Sequence, residues 1–126
     1  MNTPEQELFL HSPALGKLLF HKIYSSYVQP LLFTVKNDAG ELFFGYSLGA
    51  DQLNDRWLIT PVSEKILSLI EQKQLPLVEV FNQDEKQPIF VIKQNVDNED
   101  ITELQTELKL LSFQLPRDSF FLTGAN

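Results

Sequence analysis

The chain has 126 residues, 43% of them hydrophobic, with 10 phenylalanines, no cysteine and a net charge of −7 from 17 acidic and 10 basic side chains. A domain near this size buries roughly 70% of its unfolded surface, so it needs neither disulfides nor metals to hold a core. The composition excludes a disulfide framework, a thiol nucleophile and a Cys-based zinc site, and basic residues scattered singly make nucleic acid a poor direct partner.

The start, Met1-Asn2-Thr3-Pro4-Glu5, is polar and acidic and lacks the charged and apolar regions of a secretion signal. No apolar run approaches the ~20 residues of a membrane span, so a cytoplasmic protein is expected. Residues 1–15 read as an arm carrying one apolar patch, Leu8-Phe9-Leu10, either a short turn of helix or a docking segment. Gly16 to Tyr27 is rich in aromatic and branched residues without a helical stripe and reads as a strand. Leu31–Lys36 is a second strand, with Pro30 at the position a strand tolerates.

Asn37-Asp38-Ala39-Gly40 is a turn, and Glu41–Leu48 alternates behind it, with Leu42, Phe44, Tyr46 and Leu48 on one face. The turn is expected to bring Lys36 near Glu41 as a cross-strand pair. A polar loop, Gly49–Asp55, precedes a short strand, Arg56–Thr60, ended by Pro61. Ser63 is a helix N-cap with Glu64 in the first turn, and Ile66, Leu67, Leu69 and Ile70 form a stripe, which predicts a helix over Ser63–Lys73. Leu77–Phe81 fits either a short helix after Pro76 or a buried strand. Pro88–Lys93 is an apolar strand. Ile101–Leu111 carries both a helical stripe and a strand-like alternation, and its Glu, Gln, Leu and Lys content tips the reading to helix. Leu115-Pro116-Arg117-Asp118 reads as a turn and Phe120-Phe121-Leu122 as an apolar latch onto the core.

The block Leu32–Asn37, Gly40, Phe43-Phe44, then Trp57-Leu58-Ile59-Thr60-Pro61-Val62-Ser63 and Leu67, Ile70, Leu77 and Phe81 resembles a family of small bacterial and phage proteins of unknown function. The shared features are a Lys-Asn-x-x-Gly hairpin and a Trp-Leu-x-x-Pro-Val-Ser step from strand to helix, across roughly residues 16–95. The resemblance implies an antiparallel sheet packed by a helix. It carries over no activity and no functional residue.

Candidate chemistry is sparse. His11 and His21 stand ten apart without neighbouring acids, so no metal motif is legible, and no cofactor is expected. No serine sits in Gly-x-Ser-x-Gly, and the five glycines form neither a phosphate loop nor a dinucleotide fingerprint. Asp51 and Asp55 flank a loop beside Arg56 and Trp57, while Asp97, Glu99, Asp100 and Glu103 form an acidic run. The plainest account is a solvated loop, with helix-capping acids at Asp97 to Asp100. Trp57 belongs in the core; exposed, it would be an interface anchor together with Arg56.

The expected fold is α+β: a curved antiparallel sheet of about five strands packed by one main helix at 63–73, with a second, C-terminal helix. The chain is read as one domain over 1–126, with an arm at 1–15, a sheet-plus-helix core at 16–96 and an acidic segment at 97–126. That last segment holds 6 acids against 2 bases. The expected function is non-catalytic: a protein-interaction module, an accessory or immunity-type partner of another bacterial protein in a defence or toxin system, with self-association as a further option. Its partner-binding residues would be Asp51, Asp55, Arg56, Trp57, Asp97, Glu99, Asp100 and Glu103, and its partner a protein with a basic surface. An acidic phage inhibitor filling a nucleic-acid groove, and an enzyme with an unrecognised carboxylate site, are the alternatives.

Overall fold

The computed structural model describes residues 7–27, 29–84 and 87–106. Among these residues lie seven strands: β1 Leu8–Ser12, β2 Gly16–Tyr27, β3 Gln29–Lys36, β4 Leu42–Ala50, β5 Asn54–Pro61, β6 Ile89–Asn95 and β7 Ile101–Thr106. One α-helix, α1 Glu64–Glu71, and a 3₁₀ turn, Leu77–Phe81, lie between β5 and β6. All neighbours pair antiparallel in the order β1-β2-β3-β4-β5-β6-β7. The sheet is a curled half-barrel whose end strands approach one another.

The five-stranded α+β expectation is therefore corrected. Leu8–Ser12, read as part of an arm, is strand β1 on β2, and Ile101–Thr106, read as helix, is strand β7 on β6. The helical stripe of the latter segment goes unused. Leu104 stays 64% exposed, while Ile101 packs on the interior cluster. β6 offers a full ladder over Ile89–Gln94, and the six backbone pairs along it outweigh a weak local propensity for helix. The Leu115–Asp118 turn, the Phe120–Leu122 latch and residues 107–111 lie outside the described residues.

The curl has local causes. β2 carries register shifts at Phe20/Lys22, Ile23/Ser25 and Ser25/Ser26, and bulges bend a strand and increase its twist. The β3–β4 turn is built by Asn37, whose Oδ1 accepts from the backbone N–H of Ala39 and Glu41, and by Gly40 at φ +80°. Lys36 faces Leu42, and the partner of Glu41 is the Asn37 amide at 2.9 Å, not Lys36. Ser63 caps α1 by accepting from Ile66 N at 3.1 Å. The helix stops at Glu71, short of Lys73, because Lys73 enters the left-handed region at φ +60°.

The period-two alternation of the strands divides the core into two clusters. Inside the curl lie Leu10, Leu18, Phe33, Val35, Phe43, Trp57, Ile59, Phe90 and Ile92, with Phe9, Phe20 and Ile101 packed against them. On the outer face Phe44, Leu58, Ile89 and Val91 meet Leu67 and Ile70 of α1 and Leu77, Val80 and Phe81 of the 3₁₀ turn. Gly45 is required by the close approach of Phe33, its partner across the ladder. A Cβ there would lie 2.4 Å from the Phe33 ring.

Candidate interaction surface

The β5–β6 ladder runs Ile59↔Phe90 to Asn54↔Asn95, and Val96 N then donates to Leu53 O at 2.9 Å. This pairing brings the β4–β5 loop and the β6–β7 loop to one end of the sheet. Leu53 and Val96 sit across from each other there, 60% and 50% exposed. By strand alternation they continue the face on which Asp55 and Gln94, and further in Trp57 and Ile92, lie. Residues 50–56 and 93–100 hold five acids, Asp51, Asp55, Asp97, Glu99 and Asp100, against two bases, Arg56 and Lys93.

Short polar side chains build both loops. Asp51 Oδ1 accepts from Leu53 N at 2.8 Å and from Asn54 N at 2.7 Å. Those backbone bonds, and then the charges of Arg56 and Lys93, hold its carboxyl below the usual range. In the second loop Asn95 Oδ1 accepts from Asp97 N and Asn98 N, and Asn98 Oδ1 accepts from Asp100 N. Asn95 and Asp100 close the loop backbone to backbone, with Glu99 left-handed at φ +63°. Both loops are thus ordered by local bonds, which lowers the entropy cost of presenting a fixed surface.

The eight residues singled out in the sequence divide into two groups. Asp51, Asp55, Asp97, Glu99 and Asp100 gather at this loop end. Arg56 reaches the same end, but its guanidinium donates to Gly49 O and Leu48 O, both at 3.2 Å, and braces the β4 bulge at Ser47/Gly49. Trp57 is 3% exposed, packs edge-on to Phe9 and donates its indole N–H to Pro30 O. That burial withdraws it from any surface contact. Glu103 turns away toward β1, where its carboxylate accepts from Ser12 Oγ and Ala14 N. Leu53 and Val96 were missed by the sequence reading, because an isolated apolar residue in a polar loop carries no pattern until its neighbour is known.

A second polar cluster joins β2 to α1. Lys22 Nζ and the Tyr24 hydroxyl both donate to Glu71 Oε2, at 2.9 and 2.5 Å, and His21 Nδ1 lies 3.0 Å from Thr34 Oγ1. Burial, then the Glu71 carboxylate, pushes the Tyr24 hydroxyl far above its ordinary value. Bonds from Lys22 and Tyr24 hold Glu71 below the usual carboxylate range. Burial, then Lys36 and Lys22, lowers His21. The cluster serves to tie the helix to the sheet.

A groove of about 390 Å³ beside α1 is lined by Pro61, Val62, Ser63, Ile66 and Gln83, with none of Asp51, Asp55 or His21 among them. Its Ser63 hydroxyl is committed to the helix cap. Among the described residues no group of three or more His, Asp or Glu side chains is placed to hold a metal ion. No helix of the described residues is long and apolar enough to cross a membrane.

The chain belongs to a family of unknown function (DUF6575), whose model matches residues 6–126. No curated protein and no solved structure matches it.

Proposed function

We propose that this member of the family is a non-catalytic protein-interaction module that docks a partner protein through the joined β4–β5 and β6–β7 loops. The observation that carries the reading is the Val96–Leu53 backbone bond, which sets two exposed apolar side chains side by side on loops that carry five acids. An apolar centre with a charged rim is the ordinary anatomy of an interface. The excess of acid selects a partner whose facing surface is basic, and it steers association from a distance. Bonds internal to the loops keep the surface preformed, so little ordering remains to be done on binding.

The test is co-purification of the full chain at near-native expression, followed by reconstitution with the protein recovered. Leu53→Ser with Val96→Ser should weaken that complex by roughly tenfold or more, mostly through faster dissociation. Asp97→Asn with Asp100→Asn should slow association and flatten its salt dependence. Unchanged binding by both double variants would remove this surface as the docking site. Failure to recover any protein partner would count against the module itself.

A further inference from the structure

We infer that β1 is a detachable strap that closes the half-barrel over its aromatic interior and is held shut by Glu103 of β7. The strand is five residues long, and among the described residues its ladder is with β2 alone. Its register shifts between Leu8 and Leu10, and such a bulge re-aims a side chain. Here Phe9 joins Leu10 on the interior side instead of alternating with it. The Phe9 ring then plugs the interior, with centroids 4.8 Å from Phe33, 5.0 Å from Trp57 and 5.3 Å from Phe20.

The other end of the strap is fastened across the seam of the sheet. Among the described residues β1 and β7 are the two end strands, and no backbone ladder joins them. The hydrogen-bonded link across this seam, among the described residues, is the Glu103 carboxylate, which accepts from Ser12 Oγ and, at 3.0 Å, from Ala14 N. Ser12 is buried, and its Oγ also accepts from Leu15 N, so the whole β1–β2 turn is organised around this acid. Among the described residues, lifting β1 therefore breaks one short ladder, one ring cluster and one latch. It leaves the ladders from β3 to β6 whole and bares Phe20, Phe33 and Trp57. Regions that few contacts hold open as separate units below the cost of global unfolding.

Trp57 is the single tryptophan and reports on the strap directly. The experiment compares amide hydrogen exchange and acrylamide quenching of Trp57 in the full chain, in Glu103→Gln and in Ser12→Ala. In the parent, β1 amides should exchange at least about tenfold faster than those of β4 and β5. Glu103→Gln discharges the acceptor of the Ser12 and Ala14 bonds, and Ser12→Ala removes its bond to Glu103 together with the one from Leu15 N, so β1 exchange and Trp57 quenching should each rise by roughly tenfold while β4 and β5 change little. Exchange of β1 in step with β4 and β5 in the parent would overturn the inference by itself, whether or not the variants fold. Variants that loosen every strand equally would overturn it too.

Discussion

The two apolar clusters on either side of the sheet are sealed by different means. The inner one is aromatic, knit by ring contacts among Phe9, Phe20, Phe33 and Trp57, and enclosed by the curl of the sheet itself. The outer one is mainly aliphatic and is covered by a two-turn helix and a 3₁₀ turn, too short to be stable alone. That cover is fastened by polar bonds. The buried Gln87 amide donates to Thr60 Oγ1 at 2.6 Å and Val80 O at 2.7 Å, and its oxygen accepts from Gln83 N at 2.9 Å. The inner cluster thus depends on ring packing with polar bonds at its margin, from Trp57 to Pro30 and from Ser12 and Ala14 to Glu103, whereas the cover of the outer one hangs on the bonds of a single buried amide.

Substitutions on both sides of the sheet sharpen this contrast. Phe33→Ala should cost about 3–5 kcal/mol in urea unfolding, since it empties the centre of the ring cluster. A loss below about 1 kcal/mol would show that the inner rings are not the main brace. Gly45→Ala should cost about 1–3 kcal/mol by forcing its methyl into the Phe33 ring. The same change in a Phe33→Leu background should cost clearly less, and a double-mutant cycle measures that coupling.

On the outer side, Gln87→Leu keeps the volume and removes three hydrogen bonds. It should cost about 1–3 kcal/mol and raise amide exchange in the 3₁₀ turn before the inner strands respond. The smallest effect is electrostatic. Glu71 has a folded pKa below its ordinary 4.5, so its contribution is present above that value and fades as pH falls through the folded pKa. Glu71→Gln should therefore flatten the loss of stability on acidification below about pH 4.5, by no more than about 1 kcal/mol for so exposed a pair. An unchanged acid limb of the stability curve would mean that the Lys22–Tyr24–Glu71 cluster does not tie α1 to β2.

The proposed docking surface was half visible in the chain. Its acids stand out as charges, and Asp51, Asp97 and Asp100 fall in loops that any strand reading places between hydrophobic runs. That two loops more than 40 residues apart in the sequence share one end of the sheet follows from β5 pairing with β6, and no local pattern carries it. Glu103 shows the reverse case. As one more acid in a run it looks like its neighbours, and only the curl that brings β7 to β1 turns it into the partner of Ser12.

Local chemistry alone determined the Asn37–Gly40 turn, the Ser63 cap and the alternating faces of β4, because each depends on residues a few positions apart. The burial of Trp57 was left open by its own strand and is fixed by Phe9 and Pro30 from other strands. Tertiary structure decided the number of strands. Leu8–Ser12 and Ile101–Thr106 are short and weakly biased, and they become strands because β2 and β6 have backbone groups that need partners. Closing the sheet on itself was decided at the same level, since bulges, rings and one carboxylate act only once distant segments meet.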